Sequence, residues 1–147
     1  MEKIRKVCAS LCLVLVSMLW PGCTGKAPEY PDLEGFWKTE RIVDNATGED
    51  MPCNRLFWAL QLQIVELRDL GNNGFGTFIG QYAYDEKGRT LRLYNLVNKS
   101  NQKQDAEEGK LSRFGVDGPD TTFEVVSLGD GRMALRSEKN TLYFRSF

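Results

Sequence analysis

The chain has 147 residues with 19 basic and 20 acidic side chains, and it contains no histidine. A charge so evenly balanced leaves no basic excess to bind phosphate, so we expect no nucleic-acid partner. Without histidine the chain lacks the commonest general base and the commonest metal ligand. The carboxylates are spread along the sequence, so we predict that the protein is not an enzyme and holds neither a metal nor another cofactor.

The first 22 residues have the pattern of a secretory signal peptide. Lys3, Arg5 and Lys6 make a basic start, and residues 7–20 follow without a charged side chain. That uncharged run has 14 residues, whereas a membrane-spanning helix needs about 20. We therefore predict that residues 1–22 direct export and are then removed.

Cys23 directly follows Trp-Pro-Gly at residues 20–22, and this segment resembles the lipobox of bacterial lipoproteins. The resemblance implies that the Cys23 sulfur receives a diacylglyceryl group and that Cys23 becomes the first residue of the mature chain. The family prefers Leu at the position of Trp20, and here Leu19 lies one place earlier. Cleavage after Ala27 is the alternative, but it leaves a proline directly after the cut.

Residues 23–33 are predicted to be a short tether from the lipid to the domain, since they include Gly25, Pro28 and Pro31. Some bacterial groups mark lipoproteins for the cell surface with a run of acids after the cysteine. That run is absent here, where Glu29 is the first acid after Cys23. The lipoprotein resemblance thus implies an outer-membrane protein of a Gram-negative-type envelope, on the periplasmic side, with the membrane as partner through the lipid.

Residues 34–147 are predicted to form one domain of antiparallel strands, because apolar and polar side chains alternate between turn signals. Strands are predicted at residues 36–43, 56–67, 75–84, 90–97, 121–128, 132–137 and 141–147, with a less regular eighth at 111–116. A sheet of about eight strands twists until its edges meet, and closure removes both exposed edges. The sequence therefore predicts an all-β, up-and-down antiparallel barrel whose last strand pairs with its first.

Gly35-Phe36-Trp37 at the start of the first strand resembles the lipocalin signature. The resemblance implies that the tryptophan closes one end of the barrel and that Arg145, in the last strand, packs over its ring. The whole mature chain also resembles the short lipocalin-like lipoproteins of bacterial envelopes, which end in a Leu-x-Phe-x-x-Phe pattern like that of residues 142–147. It departs from typical lipocalins in being shorter and in lacking the helix that follows their barrel.

Five side chains are predicted to face the barrel interior and line a pocket for a small apolar molecule: Trp58, Tyr82, Asn95, Phe123 and Met133. Apolar walls with a few polar groups suit such a ligand. The simpler interpretation is that these side chains only fill the barrel, because eight strands enclose little more than their own side chains.

A different class of function is also open, in which the protein binds another envelope protein as an enzyme inhibitor or as an accessory subunit. The candidate surface consists of the polar residues 98–118 together with the predicted loop at residues 44–54. Long polar loops on a rigid scaffold often bind partners. Under this alternative no small molecule is needed.

Overall fold

The computed structural model describes residues 25–147, and most regular structure in that range is β-strand. The strands are β1 (Gly35–Asp44), β2 (Asp50–Met51), β3 (Leu56–Gln61), β4 (Ile64–Asp69), β5 (Thr77–Asp85), β6 (Thr90–Asn98), β7 (Asn101–Asp105), β8 (Thr121–Gly129), β9 (Arg132–Arg136) and β10 (Asn140–Ser146). A short helix, α1 (Glu108–Leu111), leads directly into a 3₁₀ turn, Ser112–Phe114. Within residues 25–147, no helix has the length and apolar character to cross a membrane.

Eight of these strands form a closed antiparallel barrel in the order β1, β3, β4, β5, β6, β8, β9 and β10. The ring closes because β10 pairs with β1, from Trp37 opposite Ser146 to Asp44 opposite Asn140. The two remaining strands lie at the side, with β2 paired to β1 and β7 paired to β6. The predicted all-β, up-and-down barrel is confirmed.

The prediction of one long strand at residues 56–67 is wrong, because the chain folds there into the β3–β4 hairpin. Leu62 and Gln63 form its turn with φ angles of 50° and 66°, as the two central residues of a type I′ turn require. A two-residue turn exchanges the faces of even-numbered and odd-numbered positions. Leu60 therefore points into the barrel, whereas Leu62 and Ile64 are 45% and 42% exposed.

A bulge in β6 explains why the predicted inward position of Asn95 is wrong. Gly80 of β5 lies opposite two residues of β6, Asn95 and Leu96, and Asn95 has a φ of 53°. The extra residue shifts the alternation, so Leu96 is buried and Asn95 is exposed. The Asn95 Nδ2 donates a 2.9 Å hydrogen bond to Oε1 of Gln81 on the outer surface. Gly80 permits the bulge, because a Cβ there would lie 2.9 Å from the carbonyl oxygen of Tyr94.

The irregular strand predicted at residues 111–116 is also wrong, because this segment is helical and then turns. Leu111, Phe114 and Val116 are fully buried, and the spacing of the first two fits a helical turn rather than a strand. Gly115 ends the turn with a φ of 78°. The segment covers one end of the barrel, and the β3–β4 hairpin supplies the strand that the count of eight requires.

Candidate functional site

The barrel interior holds four of the five side chains predicted to line a pocket. Trp58 and Phe123 are fully buried, and Tyr82 and Met133 are almost so. Asn95 does not join them, because the bulge turns it outward. Alternation along the strands was therefore a sufficient guide to the interior wherever the strand is regular.

Trp58 occupies the middle of this interior and packs against two other aromatic rings. Its ring centroid lies 4.9 Å from that of Phe144 and 5.7 Å from that of Phe123, both in edge-on geometry. Such pairs stabilise by about 0.5–1.5 kcal/mol beyond the burial of their area. The centre of the barrel is thus packed side chain against side chain.

Three polar atoms inside the barrel nevertheless have no hydrogen-bond partner among the described residues: Trp58 Nε1, Tyr82 Oη and Thr39 Oγ1. Leaving a buried donor or acceptor unpaired costs about 1–3 kcal/mol. Most buried polar groups in native proteins are paired, so each exception needs a reason. Two of the three lie on residues that the sequence predicted to be ligand-binding.

Of the two aromatic donors, Tyr82 is the more accessible to a molecule that enters the barrel, because its hydroxyl lies towards one end. Burial raises the pKa of Tyr82 to about 12, the backbone of Gln63 opposes the rise, and the nearby carboxylates of Glu34 and Glu29 add to it. The hydroxyl thus lies near Glu34, although it makes no hydrogen bond of ordinary length among the described residues. The phenol therefore stays protonated across the physiological range. It can donate a hydrogen bond to any acceptor that reaches it.

The end of the barrel beside Tyr82 is closed by residues 30–35, and we call it the N-terminal mouth. Leu33 is fully buried there, and its carbonyl oxygen accepts a 2.8 Å hydrogen bond from Nε1 of Trp37. The backbone nitrogens of Leu33 and Glu34 both donate to the carbonyl oxygen of Tyr30. The Glu34 carboxylate adds to these contacts by accepting hydrogen bonds from the backbone nitrogens of Glu29 and Tyr30.

A pocket of about 370 Å³ lies at the N-terminal mouth. Leu33, Tyr84 and Val125 form part of its apolar wall, and the charged side chains of Glu86 and Arg89 lie at its edge. The ring of Tyr30 meets that of Tyr84 edge-on at 5.0 Å. Sequence reasoning missed this pocket, because residues 30–33 read only as tether.

The opposite end of the barrel is closed by the 3₁₀ turn. Phe114 packs edge-on against Phe78 with 5.9 Å between ring centroids. Gly115 comes so close to Leu142 that a Cβ there would lie 2.5 Å from its Cδ2. This end is therefore more tightly sealed than the N-terminal mouth.

Three residues were predicted to close the barrel: Gly35, Trp37 and Arg145. Gly35 begins β1, and Trp37 is buried beneath Leu33. The prediction that Arg145 packs over the Trp37 ring is wrong. Arg145 pairs in register with Lys38 on the outer surface, its side chain is 51% exposed, and its Nε lies 3.4 Å from Oε1 of Glu40. The buried Leu33 takes the position over the barrel end instead.

The predicted signal peptide at residues 1–22 and the predicted lipidation site Cys23 lie outside the described residues. Within the described part of the chain, no group of three or more histidine, cysteine or carboxylate side chains is arranged to hold a metal. Cys53 is a free, half-buried thiol, and burial raises its pKa. A raised pKa disfavours the reactive thiolate.

The geometry defines a small closed barrel of the lipocalin-like class, whose fold is in general one for binding. The chain belongs to the lipocalin-like domain family, whose model matches residues 14–147. It is similar to a solved lipocalin-like protein from Bacteroides uniformis, with 24% identity and a TM-score of 0.61 over 79% of this chain and 99% of that one. An uncharacterized protein from Bacteroides eggerthii has 20% identity and the same TM-score over 79% of this chain and 100% of its own. At these identities both show the fold alone, and no curated protein matches the chain.

Proposed function

We propose that the chain is a lipid-anchored envelope protein whose barrel binds one small, largely apolar molecule that carries a hydrogen-bond acceptor. The observation that carries this proposal is the pair of buried donors, Trp58 Nε1 and Tyr82 Oη, without partners among the described residues. The proposal includes export by residues 1–22, a lipid on Cys23 and a place on the periplasmic side of the outer membrane. The sequence patterns at those residues support this part.

The chemistry of the interior determines the class of ligand. Around the two donors the walls are apolar, with Phe123, Met133 and Phe144 all buried. A charged molecule would lose its hydration without gaining an opposite charge, at high cost. A carbonyl, ether or hydroxyl oxygen on an apolar skeleton would satisfy one donor or both.

The N-terminal mouth is the proposed entrance. Its cover is held by a short turn, by the buried hydrogen bond from Trp37 to Leu33, and by the Glu34 carboxylate, which accepts from the backbone nitrogens of Glu29, Tyr30 and Leu62 near the surface. A second pocket of about 170 Å³ borders Tyr82, Tyr30 and Tyr84 beside this mouth. Displacement of the cover would let a ligand reach Tyr82 first and Trp58 behind it.

Native mass spectrometry of the protein purified from its own envelope tests the proposal directly. We expect a small apolar molecule to be retained by the folded chain and released on unfolding. A co-purifying protein with no small molecule would favour the alternative, an inhibitor or accessory subunit. Of the surface that this alternative would use, much of residues 111–118 is buried as the cover of the barrel, whereas residues 99–105 and 107–110 are exposed.

Substitution of Tyr82 by Phe removes the unpaired hydroxyl and keeps the ring, so it tests the role of the hydroxyl alone. Because the hydroxyl makes no hydrogen bond of ordinary length among residues 25–147, Tyr82→Phe should leave the free energy of unfolding unchanged or raise it by about 1 kcal/mol. The same variant should bind prodan, a neutral fluorescent ketone whose carbonyl oxygen can accept a hydrogen bond, about tenfold more weakly. Denaturant melts and fluorescence titration measure the two effects.

Tyr143→Phe is the matched control for this experiment, because Tyr143 is exposed on the outside of the barrel beneath Arg41. It should change neither stability nor probe binding. Destabilisation of Tyr82→Phe by more than about 1 kcal/mol would mean that the hydroxyl is already bonded. Unchanged probe affinity would mean that Tyr82 does not contact the ligand.

A further inference from the structure

Three aromatic rings form a cluster on the outside of the barrel, where β1, β3 and β10 meet. The rings of Phe36 and Phe57 stack with 4.9 Å between centroids, and Phe147 packs edge-on against Phe57 at 5.3 Å. Phe147 is 77% exposed. These rings point away from the barrel interior, so packing of the main core does not account for them.

Two exposed aliphatic side chains extend the cluster at the β3–β4 turn. Leu62 lines a pocket of about 410 Å³ together with Phe36, and Ile64 pairs with Gln61, which lines the same pocket. A type I′ turn favours Asn and Gly, so the conformation of the turn does not explain why an apolar leucine stands at position 62. We call Phe36, Phe57, Phe147, Leu62 and Ile64 the outer apolar face. Phe57 is only 3% exposed and Phe36 is half-buried, so the exposed part of this face consists mainly of Phe147, Leu62 and Ile64. Exposed apolar surface of this kind marks an interaction site.

The outer apolar face lies where the proposed lipid anchor meets the domain. Lys26 and Pro28 line the same pocket as Leu62. Cys23 precedes Lys26 by three residues, and an extended chain spans at most about 3.6 Å per residue, or about 11 Å in all. A lipid on Cys23 would therefore keep this face close to the membrane surface.

Two lysines beside the face have no carboxylate partner within 4.0 Å among residues 25–147. They are Lys26, in the tether, and Lys38, which pairs in register with Phe57 across β1 and β3. Lysines at the rim of an apolar surface suit the anionic headgroups of a membrane, which attract basic side chains by about 1 kcal/mol each.

Two arginines at the same rim are partly neutralised. The Arg68 guanidinium lies 5.5 Å above the ring of Phe36, and its Nε is 2.9 Å from Oε1 of Glu66. Arg145 pairs with Glu40. The Glu34 carboxylate lines the same pocket as Lys26 and Leu62, so the face carries one acid beside its two lysines. The chain as a whole is slightly acidic, so the remaining positive charge at this face is local rather than general.

We propose that the outer apolar face docks on a bilayer with anionic headgroups, so that the barrel lies against the membrane rather than hanging free from its tether. This inference rests on the proposed lipid anchor. The docked orientation places the β3–β4 turn at the lipid surface. The far end of β1, with the turn after Asp44, then faces away.

Quenching by brominated lipids tests the orientation. The full-length chain, purified in its lipidated form, is reconstituted in vesicles of phosphatidylethanolamine and phosphatidylglycerol with brominated acyl chains. A Leu62→Trp reporter should lose at least about half of its added fluorescence, since interfacial apolar side chains enter the headgroup boundary by about 5–10 Å. A Thr47→Trp reporter in the distant, exposed turn is the matched control and should be unaffected.

The outcomes separate this inference from the anchor. Flotation shows whether the lipidated chain is attached to the vesicles. If the chain floats with them but both reporters are quenched equally, or neither is quenched, docking is overturned and the anchor stands. A purified chain whose mass includes no diacylglyceryl group would overturn both. Adding Ile64→Ser and Phe147→Ser to the Leu62→Trp reporter should reduce its quenching. If the chain self-associates in the absence of vesicles and the Leu62→Trp side chain is shielded in that state, the face is a contact between copies and docking is overturned.

Discussion

Deletion of residues 142–147 is expected to abolish cooperative folding, because it removes most of β10 and opens the barrel. The deleted strand pairs with both β1 and β9, so two edges would be exposed at once. It also carries Leu142 and Phe144, which are buried in the core, and the loss of each side chain alone costs about 2–5 kcal/mol. Together these losses are as large as the whole stability of an ordinary domain, about 5–15 kcal/mol.

Circular dichroism during thermal and denaturant unfolding measures this result. Removal of Phe147 alone is the control, because that residue lies beyond β10 and makes one backbone hydrogen bond, to the carbonyl oxygen of Phe36. The control should keep a single cooperative transition with a small loss of stability. If the longer deletion also keeps a cooperative transition, the β1–β10 pairing does not close the sheet.

The sequence predicted the barrel because regular strands alternate. In β3, for example, Leu56, Trp58 and Leu60 are all buried, as the pattern requires. The count of eight strands was also right, although two errors compensated each other. One long strand was a hairpin, and one irregular strand was the helical cover of the barrel.

The hairpin was not predicted because its turn lacks the residues that are typical of turns. Leu62 and Gln63 adopt positive φ angles without Gly, Asn or Asp, and the residues on either side continue an apolar pattern. The bulge at Asn95 escaped for a related reason, since one extra residue leaves local composition unchanged while it reverses the faces that follow. Both features are set by pairing with neighbouring strands, which a single strand's sequence does not record.

For Arg145 the opposite holds: the alternation of residues in the strand gives the correct outward position, whereas the family resemblance gives the wrong one. Leu142 and Phe144 face the core, so alternation alone places Arg145 outside. The resemblance to lipocalins implied a guanidinium over Trp37. In this chain the barrel end is covered by Leu33, an apolar residue of the predicted tether.

The candidate site was predictable in its position but not in its chemistry. Alternation placed Trp58 and Tyr82 inside the barrel, yet it gave no sign that their polar atoms would lack partners. Pairing of a buried donor depends on the packing of several strands at once. The same limit applies to the outer apolar face, whose residues come from β1, β3, the β3–β4 turn and the segment after β10.

Replacement of Trp37 by Ala is expected to destabilise the protein by about 3–5 kcal/mol, the usual cost of truncating a buried tryptophan. The side chain is buried at the N-terminal mouth, and its Nε1 donates the only side-chain hydrogen bond that holds the Leu33 carbonyl among the described residues. The variant therefore loses apolar contacts and leaves a buried carbonyl oxygen unpaired. Denaturant unfolding followed by circular dichroism measures the change.

Two further variants resolve that loss into its parts. Trp37→Phe keeps an aromatic ring but removes the donor, so it should cost only about 1–2 kcal/mol, the penalty for an unpaired buried group with a small change in packing. Tyr143→Ala removes an exposed ring on the outer face of β10, where Arg41 packs over it, and should cost less than about 1 kcal/mol. If Trp37→Ala costs no more than Tyr143→Ala, Trp37 does not close the barrel. If Trp37→Phe costs as much as Trp37→Ala, the hydrogen bond to Leu33, rather than the bulk of the ring, secures the cover over the N-terminal mouth.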